Sequence, residues 1–270
     1  MQNTAVDWQL PPLTAYCLPL TQMLGIIGGS GLSGLANMRV TRRRAVRTPY
    51  GKPSGALVFG TLRGRKVVFL PRHGPGHTIP PHQVNYRANI WALHAQKVKD
   101  VVSVASVGGI RADLGPGTLA IPDQIIDYTH GRSSTFFTRG RGPVTHIDFT
   151  RPYCEDLRQR LFKAARAAGE ALVAEGTYAA TQGPRLETAA EIGRLERDGA
   201  DFVGMTGMPE AALAREIGLC YGAIAIVVNY AAGRGASEHE VRLEDIRLAL
   251  ERAMGRVRAI LEQLVMLDGD

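Results

Sequence analysis

Acidic residues are missing from most of the first hundred positions. No Asp or Glu occurs between Asp7 and Asp100, although the same stretch carries thirteen Lys or Arg. It also contains two apolar runs that break into glycine with hydroxyl or basic residues, at 24–32 and 70–78. Backbone N–H groups, hydroxyls, Arg and His are the donors that bind phosphate. We therefore predict an anion site in this half of the chain, with no carboxylate near it.

Long apolar runs and linkers are missing as well. No apolar run reaches the length needed to span a membrane, so we expect no membrane association. No Ser/Gly or Pro tract, charge block or internal repeat divides the chain. We predict one domain over residues 23–270, preceded by a 1–22 extension that is loosely ordered or lies before a true start at Met23.

Cysteine is scarce. Cys17, Cys154 and Cys220 are odd in number and show no CxxC spacing. This pattern indicates buried or free thiols in a reducing cytosol, and neither a disulfide framework nor a metal site. We accordingly predict a cytoplasmic location.

The charge balance favours an anionic partner. The formal net charge is +7 and the pI is about 9.6, which suits an anionic substrate or nucleic acid. The basic run Arg42-Arg43-Arg44 has no aromatic residue beside it, whereas single-strand nucleic-acid binding favours interleaved aromatics. We expect a small anionic substrate and no nucleic-acid partner.

Strand-like and helix-like patterns alternate along the chain. Short Val- and Ile-rich runs are typical of buried strands, and helical runs begin at Pro or end at Gly. The predicted strands are 24–28, 56–61, 66–71, 101–107, 118–126 and 220–228, and the predicted helices are 85–97, 152–168, 187–198, 209–217 and 243–267. This alternation predicts a single-domain, three-layer α/β/α fold with a central mixed, mostly parallel sheet and ligands at strand ends.

The first glycine loop matches GxGxxG after a strand, at 29–34. A dinucleotide site also needs an acidic residue about 20 positions later to hold the ribose. The acid-free stretch contains none, which disfavours a nicotinamide cofactor.

Several motifs in order carry a family resemblance. They are GIIGGSGL (25–32), TPYGKPS (48–54), Arg72-His-Gly with His77-Thr78, NYRANIWAL (85–93), QGPRLET (182–188), Gly204-Met-Thr206 and Pro209-Glu210. Over residues 23–265 the chain resembles the trimeric nucleoside phosphorylases, most closely the 5′-methylthioadenosine phosphorylase branch. The resemblance implies a homotrimer in which phosphate attacks C1′ of a purine nucleoside and the purine leaves, with no metal or organic cofactor.

The resemblance also implies a set of phosphate ligands, with Met205 binding the ribose. The expected phosphate ligands are Ser30, Arg72, His73, Ser106 and Thr206. Hydroxyls donate, Arg72 offers a planar fork of donors, and His73 adds a donor or a positive charge if protonated.

Base recognition departs from the adenosine-type pattern of that branch. Asn229 and Ala231 replace two aspartates, and Leu186-Glu187 follows Gly-Pro-Arg where Phe-Ser is usual. An amide at Asn229 can donate to O6 or N7 of a 6-oxopurine, and Glu187 can accept from its N1–H. Alternatively, Asn229 only satisfies a strand end and Glu187 only opens a helix. We expect Asn229 and His73 to act in catalysis and Leu186 and Glu187 to contact the base.

The expected 5′ pocket is apolar. His146 aligns with a family histidine that lines the methylthio pocket, and Leu243 and Ile246 lie where the family places apolar contacts. An apolar wall favours a thioether over a hydroxyl. We predict phosphorolysis of S-methyl-5′-thioinosine, with methylthioadenosine or general inosine and guanosine phosphorolysis as alternatives.

Overall fold

Residues 23–29, 32, 35, 37–138 and 144–267 are described by a computed structural model. The predictions for residues 1–22 and for Ser30 lie outside this part of the chain. The described residues form ten strands: β1 Leu24–Gly28, β2 Arg39–Arg44, β3 Leu57–Leu62, β4 Arg65–Pro71, β5 Asp100–Gly109, β6 Leu119–Ala120, β7 Gln124–Asp127, β8 Thr177–Ala180, β9 Phe202–Gly204 and β10 Cys220–Tyr230. The helices are α1 Tyr86–His94, α2 Glu155–Ala167, α3 Ala189–Arg197, α4 Gly207–Glu216 and α5 Leu243–Leu267.

All ten strands belong to one mixed sheet. The order is β2-β3-β4-β1-β5-β9-β8-β7, and β10 pairs with both β5 and β6. The central pairs β4–β1, β1–β5 and β5–β10 are parallel, while β2–β3, β3–β4, β5–β9 and β6–β10 are antiparallel. The parallel centre brings the carboxyl ends of β1, β4, β5 and β10 to one edge, where ligands bind in such sheets.

The sheet separates two apolar cores. Because side chains alternate along a strand, Ile26 and Ile27 of β1 enter different cores, as do Ala225 and Ile226 of β10. Helices α2 and α5 cover one face, and α1 and α4 cover the other. The predicted three-layer α/β/α fold with a mixed, mostly parallel sheet is confirmed.

Helix ends follow local chemistry. The Thr188 side chain accepts from the backbone N–H of Glu191, and the Glu191 carboxylate accepts from the N–H of Thr188, a reciprocal cap that starts α3. Helix α5 begins with Glu244 and Asp245, which oppose the positive end of its dipole. Among the described residues, no helix is long and apolar enough to cross a membrane.

Three features of the sheet differ from the sequence prediction. The strand predicted at 118–126 is two strands, β6 and β7, because Pro122 between them has no N–H for a ladder. Strand β2 is fully exposed and basic, so it lacks the apolar signal of a strand. Strands β8 and β9 are too short to show a period.

The thiol prediction is wrong for two of the three cysteines. Cys154 and Cys220 form a disulfide, with their Cα atoms 5.2 Å apart. Cys154 immediately precedes α2, and its backbone N–H donates to the carbonyl of Tyr221 at 2.8 Å, which brings the start of α2 beside the start of β10. The bond spans 66 positions, and a pairing set by tertiary packing leaves no local spacing in the sequence.

We expect one reactive thiol per chain when the oxidised protein is unfolded in denaturant, and three after reduction, since the chain has three cysteines. Replacing the pair by Cys154→Ala with Cys220→Ala should lower the free energy of unfolding by about 2–4 kcal/mol, because the open chain gains conformational freedom. Thiol titration and denaturant unfolding test this. Three reactive thiols without reduction would contradict the disulfide.

Candidate active site

The site lies where the parallel strands end. Gly28 of β1 pairs with Pro71 of β4, and the backbone N–H of Arg72 donates to the Gly28 carbonyl at 2.9 Å. Gly29 follows, and a Cβ there would lie 2.8 Å from Nη1 of Arg72 and 2.6 Å from the carbonyl oxygen of Val104. The first glycine loop therefore leaves room for the Arg72 guanidinium, which accounts for part of the GxGxxG pattern without a dinucleotide.

Strand β9 brings a further segment to the same edge. It runs antiparallel to β5, with Val203 opposite Gly108. The residues that follow β9, Met205 and Thr206, therefore lie beside Ser106 of β5.

These segments enclose a cavity of about 670 Å³, a size typical of sites for small ligands. All of the predicted site residues that the structure describes line it, except His146. They are Arg72, His73, Ser106, Leu186, Glu187, Met205, Thr206, Asn229, Leu243 and Ile246. The exception, His146, is exposed and lies in a stretch without regular secondary structure.

One end of the cavity is built on a buried ion pair. Arg72 and Glu210 are both fully buried, and Nε and Nη2 of Arg72 donate to the two carboxylate oxygens at 2.8 and 2.9 Å. Tyr221 donates its hydroxyl to the same carboxylate at 2.8 Å. The expectation of an anion site without a carboxylate is therefore wrong. The acid-free half of the sequence supplies the cation, and α4 supplies its counter-ion.

The remaining donors of Arg72 are almost all engaged. Nη2 also donates to the hydroxyl of Ser103 at 2.6 Å, and Nη1 donates to the carbonyl of Val104 at 3.0 Å. A guanidinium has five N–H donors, so one N–H on Nη1 has no hydrogen bond among the described residues, although the side chain is fully buried. Burial lowers the pKa of Arg72, but the charge and hydrogen bonds of Glu210 raise it above its ordinary value, and the group stays charged.

His73 is neutral at this end. Its Nδ1 lies 2.8 Å from the carbonyl oxygen of Ile79, and because a carbonyl only accepts, Nδ1 carries the proton. Burial, followed by the charge of Arg72, lowers the pKa of His73 to about 4. The ring of His77 is 4.4 Å away, and burial and Arg72 lower its pKa too. The geometry favours the neutral form of His73 over the positive charge considered from the sequence.

The opposite end carries an amide and a carboxylate. The pairing of β10 with β5 shifts register between Val227 and Asn229, and such a bulge re-aims the side chains beside it. As a result, Val228 and Asn229 both line the cavity. Nδ2 of Asn229 donates to the carbonyl of Tyr230 at 2.5 Å, which leaves a second N–H and the side-chain oxygen.

Glu187 is oriented by a neighbour. Its Oε1 accepts from the hydroxyl of Thr181 at 2.6 Å, and its other oxygen has no hydrogen bond among the described residues. Leu186 beside it is 40% exposed. The amide of Asn229 and the carboxylate of Glu187 thus face one cavity from different strand ends, an arrangement able to recognise a heterocycle with both an acceptor and a donor.

An apolar wall closes the third side. Ile246 is half-buried, and Leu243 is 72% exposed at the first residue of α5. Val241 joins them, although no sequence pattern pointed to it. Glu210 was also unassigned from the sequence, although it falls in a family motif and is the first acidic residue of α4.

A strand-edge cavity lined by Arg72 of a buried ion pair, by hydrogen-bonding side chains and by an apolar wall is typical of an enzyme site for a small organic molecule. Residues 23–266 match the phosphorylase superfamily, and the chain belongs to that family.

Two named relatives and one solved structure show which members of this family the chain resembles. The chain is 51% identical over 240 residues to a probable S-methyl-5′-thioinosine phosphorylase of Pseudomonas syringae pv. tomato, covering 89% of this chain and 97% of that one. It is 42% identical to the 6-oxopurine nucleoside phosphorylase of Pyrococcus furiosus, covering 90% and 92%. The structure of methylthioadenosine phosphorylase from Schistosoma mansoni in complex with adenine aligns with a TM-score of 0.87 at 36% identity, covering 92% of each chain.

We expect Arg72→Ala to lower kcat/KM by roughly 10²-fold or more and to raise the KM for phosphate, because a charge-assisted contact is lost. It also leaves the Glu210 carboxylate buried without its partner, which should destabilise the fold by about 3–5 kcal/mol. Phosphate saturation kinetics per folded molecule, together with denaturant unfolding, measure both effects.

A double variant in which both buried charges are neutralised separates the effect on phosphate binding from the effect on stability. Arg72→Met with Glu210→Gln removes both charges, so stability should recover relative to Arg72→Ala while the phosphate KM stays high. Phosphate kinetics of Arg72→Ala equal to those of the wild type would contradict the assignment.

The free energy of unfolding should fall as pH decreases from about 6.5 toward 4 in phosphate-free buffer. With a folded pKa of about 4 and an ordinary value of 6.5, His73 binds a proton in the unfolded state first, so acid favours unfolding in that window. His73→Asn keeps a donor for the Ile79 carbonyl but cannot titrate, and its stability should vary less between these pH values. Urea unfolding at three pH values measures this. An unchanged pH slope in His73→Asn would contradict the neutral, buried state.

Proposed function

We propose that this chain catalyses phosphorolysis of a 5′-methylthio purine nucleoside, with S-methyl-5′-thioinosine as the preferred substrate. A phosphate oxygen forms a bond to C1′ as the C1′–N9 bond breaks, and the purine departs with the electron pair and is protonated. The products are hypoxanthine and 5-methylthioribose 1-phosphate. The name of the relative at 51% identity, a probable S-methyl-5′-thioinosine phosphorylase, supports this reaction.

The main structural support for this reaction is that Asn229 and Glu187 line the same cavity as Arg72 and His73. Phosphate is placed against the free N–H of Arg72 and the hydroxyls of Ser106 and Thr206. Ser30, outside the described residues, remains a proposed ligand through its motif position. The ribose then lies along Met205, between phosphate and base.

The base end favours a 6-oxopurine. Negative charge develops on the purine as the bond to C1′ breaks, and the free N–H of Asn229 can donate to O6 or N7 at that moment. Glu187 can accept from N1–H with the oxygen that Thr181 does not occupy. A 6-aminopurine has a donor amine in place of O6 and an acceptor N1 in place of N1–H, so a contact of Asn229 with O6 and the contact of Glu187 with N1 would both be mismatched, whereas N7 accepts in either purine.

The apolar wall supports the methylthio group. A ribose hydroxyl placed against Val241, Leu243 and Ile246 loses hydration without a partner there, whereas a thioether does not. His146 is exposed in the described chain, and its contact with the 5′ group remains a proposal from the resemblance.

Two alternatives have support of their own. The fold similarity to a methylthioadenosine phosphorylase with adenine bound favours a 6-amino substrate. The relative named a 6-oxopurine nucleoside phosphorylase favours a general inosine or guanosine enzyme. Comparing kcat/KM for methylthioinosine, inosine and methylthioadenosine distinguishes both alternatives from the proposed activity.

Three further properties belong to the proposal. Among the described residues, no group of three His, Cys, Asp or Glu could hold a metal ion. From the family resemblance, we infer that phosphate is a co-substrate and that no cofactor is needed. A homotrimer rests on the motif resemblance, whereas a cytoplasmic location was expected from the cysteine pattern. Because Cys154 and Cys220 form a disulfide, the cysteines no longer support a reducing compartment.

We expect kcat/KM at saturating phosphate to be highest for methylthioinosine, lower for inosine and lowest for methylthioadenosine. Asn229→Asp should reduce the methylthioinosine to methylthioadenosine ratio by roughly 10-fold or more, because the carboxylate accepts where the amide donated. Release of hypoxanthine or adenine is the readout, with a strong chelator present as the cofactor control.

Each alternative has its own outcome. A wild-type ratio below one would return the enzyme to the methylthioadenosine class. Equal efficiency on inosine and methylthioinosine would make it a general inosine phosphorylase. A rate lost to the chelator and restored by a divalent ion would contradict the absence of a metal.

A further inference from the structure

Arg132 is a half-buried arginine with an unusual set of partners. It lies after β7 and does not line the cavity. Its guanidinium donates six hydrogen bonds, to five residues that stand in three separate segments. The acceptors are the carbonyls of Met205 (2.8 Å), Met208 (2.6 Å), Thr181 (3.2 Å) and Gln182 (2.8 Å), the side-chain oxygen of Gln182 (3.2 Å) and the hydroxyl of Tyr86 (3.2 Å).

The partners connect Arg132 to residues that line the cavity. Met205 lines it, and Met205 and Met208 bracket the turn that carries Thr206, at the proposed phosphate end. Thr181 donates its hydroxyl to Glu187, at the proposed base end. The hydroxyl of Tyr86 donates onward to the carbonyl of Pro81 at 3.0 Å, and Pro81 also lines the cavity.

The positive charge of Arg132 is stabilised by backbone carbonyl oxygens. Among the described residues, no carboxylate pairs with it. Its planar fork suits several carbonyls at fixed angles, which a lysine ammonium does not match. Arg132 also lies over the Tyr86 ring, 5.4 Å from its centroid, which adds a cation–π contact.

We propose that Arg132 is a positioning residue that holds the phosphate end and the base end of the cavity at a fixed separation. Phosphate and the nucleoside must meet at near-attack distance, and a displacement of about 1 Å can lower a rate by roughly 10²-fold. Because Arg132 does not itself line the cavity, it acts through the segments that carry Met205, Thr206 and Glu187. The inference rests on the proposed function.

A matched control lies elsewhere in the chain. Arg158 is also buried and donates to two backbone carbonyls, those of Pro122 (3.1 Å) and Ala174 (2.6 Å), and to Glu155. None of these partners lines the cavity. Substituting Arg158 therefore reports the stability effect of losing a carbonyl-binding arginine without moving the site.

The test compares Arg132→Lys, Arg132→Ala and Arg158→Lys with the wild type on methylthioinosine and phosphate, with rates per folded molecule. We expect Arg132→Lys to lower kcat about 10-fold and Arg132→Ala about 100-fold, and the KM of both substrates to rise together. Millimolar guanidinium should restore part of the Arg132→Ala rate in a saturable way, and ammonium should not. Arg158→Lys should lower the melting temperature and leave kcat and both KM values unchanged.

The outcomes separate the two proposals. Wild type that turns over none of the nucleosides refutes the proposed function, and the role of Arg132 falls with it. Active wild type with unchanged kinetics in Arg132→Lys and Arg132→Ala overturns the positioning role alone. So does an equal loss in Arg158→Lys, because the effect would then be general destabilisation. Should Arg132→Ala fail to fold, the kcat and KM values of Arg132→Lys decide the question.

Discussion

The site depends on the fully buried pair of Arg72 and Glu210. Two charges are stable in the interior only when they are paired and well hydrogen-bonded, and here Arg72, directly after β4, is the cation, α4 supplies the carboxylate, β10 the Tyr221 hydroxyl and β5 the Ser103 hydroxyl. Moving any of these elements would leave a buried charge without a partner. The anion end of the cavity is therefore held rigidly by the same contacts that join the two sides of the sheet.

That pair also sets the electrostatics of the cavity. Glu210 cancels most of the charge of Arg72, so the cavity receives a directed N–H and not a bare cation. Arg72 and burial keep His73 neutral. If phosphate binds here as proposed, its negative charge raises the pKa of His73, since an opposite charge favours the protonated ring.

Different structural features bring Asn229 and Thr206 to the same cavity. A register shift in β10 turns Asn229 into it, while Thr206 follows a short antiparallel strand. Arg132 lies behind the segments that carry Thr206 and Glu187 and donates to their backbone carbonyls, to the Gln182 side chain and to a tyrosine hydroxyl. Selectivity for a purine type thus depends on side chains that face the ligand, and the distance between the two ends depends on groups that never touch it.

Much of this protein was determined by its sequence alone. Continuous apolar runs at β1 and β10, Pro and Gly at helix ends, and the ordered motifs suffice for the layered fold, the family and ten of the residues that line the cavity. Only the tertiary structure decided that Glu210 neutralises Arg72 across 138 positions, that Cys154 meets Cys220, that β2 is a strand, and that Arg132 binds four carbonyls. The reason is physical. Burial leaves a periodic pattern along the chain, whereas a contact with a distant carboxylate or with a backbone carbonyl, which every residue has, leaves none.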